Sequence, residues 1–148
     1  MPTIAGLEPA AGAAVIEPDG RVWTVVPTNG YGAKAALPKG RLGRSGPQET
    51  AIREVWEETG LHVELLAWLV DVQRTTTITR YYLARRIGGS PVACGWESQA
   101  VRLVPLDRLG EVLTTAADAV LVGALAGKNP GHWPFLLSAS LAMTAEAR

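Results

Sequence analysis

Cysteine is almost missing from this chain. Cys94 is the only one in 148 residues, so no intrachain disulfide can form, which fits a reducing cytoplasm. Net charge is missing as well: Lys+Arg and Asp+Glu stand at 14 each, leaving no electrostatic case for non-specific binding to nucleic acid or membrane. No apolar run approaches the roughly 20 residues a membrane span needs. The segment from Met1 to Gly20 has no basic region and carries Glu8, against a secretory signal. His62 and His132 have no metal-ligand spacing to each other or to Cys94. No serine stands in a nucleophile elbow, and no glycine-rich phosphate loop is present. With no internal repeat, the expectation is a single cytoplasmic domain over residues 1–148.

What is present suits a folded domain with one sizeable core: 47% hydrophobic and 19% charged residues. Ala10–Glu17 and Arg21–Pro27 flank the turn signal Pro18-Asp19-Gly20 and are expected to form a hairpin. Thr28 to Ala36 and Leu37 to Leu42 read as loops. Leu61–Val72, Thr75–Ile87 and Gln99–Val104 read as strands, with a turn at Gly88-Gly89-Ser90-Pro91. Leu106–Leu113 and Ala116–Ala126 read as helices. The segment Trp133–Met143, within a tail over 129–148, either caps the core or joins a homodimer interface. This order of elements fits an α/β fold, a mixed sheet between helices.

The most informative stretch is Gly40 to Leu61, GRLGRSGPQETAIREVWEETGL. At about 100° per residue, Ala51, Ile52, Val55, Trp56 and Thr59 fall on one side of a helix, while Arg53, Glu54, Glu57 and Glu58 fall on the other. Ser45 is the expected N-cap, Pro47 suits the first turn and Gly60 the end. Glu49 precedes Arg53 by four residues, the favourable order for a helical ion pair.

Glu54, Glu57 and Glu58 lie at i, i+3 and i+4, where each like pair costs roughly 0.2–0.5 kcal/mol in an isolated helix. A hard divalent cation offsets such repulsion, because Mg²⁺ and Mn²⁺ take carboxylate oxygens and share the remaining positions with water and phosphate. Taken alone, the run suits a solvated acidic face equally well.

The segment resembles the Nudix box, the signature of hydrolases that cleave nucleoside diphosphates linked to another group. Arg53, Glu54, Val55, Glu57, Glu58, Gly60 and Leu61 match the second part of that pattern without exception. The first part departs from it: the chain from Gly40 to Arg53 is one residue short, and Ser45 or Gly46 stands where the pattern has its first glutamate. The resemblance implies a Nudix fold and a Mg²⁺ or Mn²⁺ cofactor held by Glu54, Glu57, Glu58, the backbone oxygen of Gly40 and Glu97. Glu97 is included because it precedes Arg102-Leu103-Val104-Pro105-Leu106, which is similar to another family landmark. Arg53 is expected to orient Glu54, and Glu54 or Glu97 to act as base.

Several cations suit a polyphosphate substrate. Lys39, Arg41 and Arg44 flank Gly40, and Pro38-Lys39-Gly40 resembles members acting on dinucleoside polyphosphates and diphosphoinositol polyphosphates. Tyr31 could stack on a base. Arg74, Arg80 and Tyr82 lie on strands that could face the substrate, with Arg80 and Tyr82 on one face and Tyr81 on the other. The expected function is metal-dependent pyrophosphohydrolysis of a small nucleotide or polyphosphate. The altered first half of the box keeps an alternative open, a nucleotide-binding module with weakened turnover.

Overall fold

The computed structural model describes residues 1–27, 34–91 and 98–128. Tyr31, Cys94, Glu97, His132 and the segment Trp133–Met143 lie outside the described residues. Sheet A has the order β3-β1-β5-β4, and sheet B pairs β2 with β6. The strands are β1 Glu8–Val15, β2 Arg21–Pro27, β3 Lys39–Arg41, β4 Leu61–Gln73, β5 Thr77–Gly89 and β6 Ser98–Pro105. In sheet A, β1 runs parallel to β5, while β3 and β4 run antiparallel to their neighbours.

The small residues of β1 explain its place. A strand at the middle of a sheet covered on both faces must bury every side chain, and Ala11, Ala13, Ala14 and Val15 are each fully buried. On one face, Ala11, Ala13, Val15, Tyr82 and Ala84 pack under Ala51 and Val55 of helix α1, Pro47–Thr59. On the other, Ala14, Tyr81 and Leu83 pack with Leu109 and with Leu121 and Leu125 of helix α2, Ala116–Leu125. The result is the expected helix–sheet–helix layering, with Tyr81 and Tyr82 on opposite faces as alternation requires.

Four local expectations are corrected. The chain does turn after β1, with the Gly20 N–H donating to the Glu17 carbonyl at 2.9 Å, but a single Ile16–Val22 bridge is all that joins the two runs. Both sides of β1 are occupied by β3 and β5, so β2 leaves for sheet B and no hairpin extends. Lys39–Arg41, expected as loop, is a strand paired through Gly12–Lys39, Ala11–Gly40 and Ala10–Arg41; three residues are too few to display alternation. Leu106–Glu111 is a 3₁₀ helix, too short to continue as an α-helix. The turn expected from Gly88 begins later, because Gly88 and Gly89 still pair with His62 and Leu61 in β4.

The ends of α1 differ from expectation at one side only. Gly46, not Ser45, is the N-cap and supplies no side-chain bond. Gly60 closes the helix in the left-handed region at φ 76°, its N–H donating to the Trp56 carbonyl at 2.8 Å. Trp56, placed by periodicity on the apolar side, is 46% exposed and stacks on His62 instead. The stripe that meets the sheet is narrower than the periodicity suggests: Thr50, Ala51, Val55 and Thr59.

Gly12 is where β3 approaches β1 most closely. A Cβ there would sit 2.2 Å from the Pro38 carbonyl oxygen and 2.7 Å from Lys39 Cβ. Gly12→Ala is therefore expected to destabilise the fold by about 1–3 kcal/mol through overpacking. Urea denaturation checks this, and an unchanged midpoint would contradict so tight a contact.

Candidate active site

Because Thr50, Ala51, Val55 and Thr59 face the sheet, the helix sets Glu54 and Glu58 beside β3. A Cβ on Gly40 would lie 2.2 Å from Glu54 Cδ, so the carboxyl group rests directly on the glycine backbone. One residue earlier, the Lys39 N–H donates to Glu58 Oε2 at 3.0 Å. Burial, followed by the neighbouring Glu54, pushes the Glu58 carboxyl up to about 8, with the Lys39 N–H pulling against them. Two carboxyls one helical turn apart and half hidden from water cannot both ionise cheaply.

Arg53 ties this pair to the rest of the box. Its guanidinium lies 3.9 Å from Glu54 Oε1 and 3.7 Å from Glu57 Oε1, and Nη1 donates to Ser45 Oγ at 2.9 Å. Among the described residues it makes no ion pair with Glu49, contrary to the helical spacing, because the loop hydroxyl and the two acids take its fork. Ser45 thus meets Arg53 near the position where the family pattern has a glutamate. Among the described residues no three His, Cys, Asp or Glu side chains form a cluster able to hold a metal ion. Mg²⁺ does not require one, since it commonly uses one or two carboxylates and completes its shell with water and substrate phosphate. The all-oxygen pair of Glu54 and Glu58, already sharing more charge than it can hold, fits that chemistry.

A cavity of about 740 Å³ opens from Gly40 toward the β4–β5 turn and the start of α2. Among the described residues its lining includes the cations Lys39, Arg41 and Arg74 and the hydroxyl residues Thr75 to Thr77 and Thr115. Burial and the adjacent Arg74 hold the Lys39 ammonium below its ordinary value, with Glu58 opposing. Arg41 also lies 3.2 Å from Glu8 in an exposed pair. Arg74 donates through Nη2 to Tyr81 Oη at 2.9 Å and to Asp118 Oδ1 at 3.0 Å.

The other expected cations are elsewhere. Arg44 is exposed in the turn before α1 and does not line the cavity. Arg80 is on the α1 face of the sheet, opposite the cavity, with its guanidinium bidentate to Asp71 at 2.8 and 3.0 Å and set over the Trp68 ring. Arg74 occupies the cavity in its stead. Arg74, expected on a strand that could face the substrate, lies in the turn between β4 and β5. Its partner Asp118 was detectable as the N3 acid of a Thr115 capping box.

The raised Glu58 carboxyl has a consequence for stability. A group that holds its proton more tightly when folded favours the native state at low pH and loses that contribution as pH rises from 4.5 toward about 8. In the presence of a chelator, the melting temperature is expected to fall across this window, and Glu58→Gln to flatten the slope. Parallel pH profiles for the two proteins would refute the raised Glu58 carboxyl.

A family model for the NUDIX domain matches residues 6–122. A comparison with curated proteins gives no match. Among solved structures, a NUDIX hydrolase from Nitrosomonas europaea is similar at TM-score 0.70 and 16% identity, over 83% of this chain and 91% of that one. The C. elegans Ap4A hydrolase is similar at TM-score 0.68 and 16% identity, over 82% of this chain and 98% of that one. A nudix hydrolase family member from Chromobacterium violaceum is similar at TM-score 0.67 and 24% identity, over 99% of this chain and 94% of that one. These likenesses establish the fold, and the family match covers most of the sequence together with its box helix. The chain belongs to the Nudix family and is a hydrolase of phosphoric anhydride bonds.

Proposed function

We propose that this hydrolase cleaves a nucleoside diphosphate linked to another group, namely a dinucleoside polyphosphate, a nucleotide sugar or a nucleoside triphosphate, with Mg²⁺ or Mn²⁺. The observation that carries the reading is the Glu54–Glu58 pair, held on the backbone of Lys39 and Gly40, two residues that also line a cation-bearing cavity. Glu54, Glu57, Glu58 and Gly40, with Glu97, are the residues that would hold the ion. When bound, the ion supplies charge neutralisation at the phosphates and a more acidic water.

The chain's own part is positioning and proton transfer. Lys39, Arg41 and Arg74 place the phosphates beside the carboxylates, where cationic donors act most strongly because the site is partly buried. Arg53 holds Glu54 and Glu57 in fixed orientation. Glu54 takes the proton of the attacking water, and Glu97 is the other candidate for that task. The water oxygen forms a new bond to one phosphorus while the bridging oxygen leaves with the other phosphate. Arg44 and Tyr31 remain candidates for contacts at the substrate's periphery.

A second reading, a nucleotide-binding module of weakened turnover, rests on Ser45. A neutral hydroxyl contacts Arg53 where the family pattern has a carboxylate, so Arg53 is held less firmly. Calorimetric nucleotide binding without product across several metals would favour it.

The proposed activity is tested on a panel of dinucleoside polyphosphates, nucleotide sugars and nucleoside triphosphates with each metal. Glu57→Gln and Glu54→Gln are each expected to lower kcat by about 10²–10⁴-fold, with circular dichroism unchanged. Undiminished turnover in both variants would remove these glutamates from the reaction.

A further inference from the structure

We propose that the outward face of helix α2 is a docking surface for the chain's own segment Trp133–Met143, which folds back over it in cis. α2 reads AADAVLVGAL, and its one charged residue, Asp118, is buried and bonded to Arg74. Leu121 and Leu125 are buried in the core beneath the helix. What remains outside includes Ala116, Ala119, Val120 and Gly123, apolar and exposed, with Val120 at 52%. A helix on the surface of a domain carries polar residues on its outer face, and one that is apolar all round is buried. Gly123 is a second sign. It stands inside the helix, where glycine costs stability relative to alanine, yet a Cβ there would meet nothing within 4 Å among the described residues. Its smallness serves no neighbour in the described domain and leaves room for one that arrives from beyond it.

The chain beyond Lys128 supplies the occupant. Lys128-Asn129-Pro130-Gly131 signals a turn directly after α2, and about two to five residues suffice to join antiparallel helices. Trp133–Met143, WPFLLSASLAM, carries no charged residue. Read at about 100° per residue, Leu136, Leu137, Leu141 and Met143 share one stripe, and Pro134 suits a first helical turn. As a helix the segment would span about 16 Å, against about 15 Å for α2. Two uncharged surfaces of matched length, joined by a few residues, meet at an effective concentration on the order of a millimolar. A second copy reaches that only in concentrated solution. Held apart, both surfaces would stand in water, which monomeric proteins seldom tolerate for a contiguous apolar patch.

The test uses the full chain carrying Cys94→Ser, so that Val120→Cys supplies its one thiol, and follows labelling by a maleimide. Glu49→Cys, on the exposed side of α1, gives the rate of an open helical site. The thiol at position 120 is expected to react about tenfold more slowly than the one at position 49, and Leu137→Asp to abolish the difference, as loss of one apolar contact implies. Leu137→Ser is the milder variant should Leu137→Asp unfold the protein, with circular dichroism as the check. Equal rates at the two positions without any change at Leu137 would show an open face and overturn the proposal. Protection that survives both Leu137 variants would overturn it as well, because something else would then cover the helix. Protection lost on dilution, with a dimer in light scattering, would overturn the cis arrangement in favour of a second copy.

Discussion

The close approach of helix α1 to strand β3 is the constraint from which the site follows. The Glu54 carboxyl rests directly on Gly40, in the space a Cβ would fill, and Glu58 accepts the N–H of Lys39. Those two contacts fix the helix relative to the sheet edge. They also force two carboxyls into partial burial one turn apart, which is costly unless a proton or a cation intervenes. A side chain at position 40 would displace the Glu54 carboxyl from this place.

β3 can make this approach because β1 is made of small residues. Gly12 admits Pro38 and Lys39, and the alanines on either side let both helical layers close on the sheet. The same strand therefore determines the thickness of the domain and the position of the phosphate-facing lysine. Tyr81 and Tyr82, adjacent in β5, separate the two chemistries. Tyr82 belongs to the layer under α1, and Tyr81 belongs to the layer that positions Arg74 against α2.

Charge is distributed to match. Acids gather on α1 and cations line the cavity, while Arg80, Asp71 and Trp68 form a closed group on the α1 face of the sheet. The net charge of zero conceals this separation. Arg53 joins the acid group to the loop through Ser45, and the shorter, neutral contact is where this chain departs most from its family pattern.

The box helix, its terminal Gly60, the strands β4 and β5 and the start of α2 were legible in the sequence, because each rests on local periodicity or on a residue with special backbone freedom. Glu54 and Glu58 were legible for the same reason, since helical spacing alone brings them together. The sequence could not show that β1 and β2 part into different sheets, because that choice depends on β3 and β5 competing for the edges of β1. Nor could it show that Arg74 enters the cavity and Arg80 leaves it. Both lie among β-forming residues, and only the packing of Tyr81 against α2, across 44 residues from Arg74 to Asp118, decides which guanidinium faces the substrate. Local order came from the sequence, and the identity of the facing cation came from tertiary contact, because a strand's alternation says that two faces differ but not which one is inside.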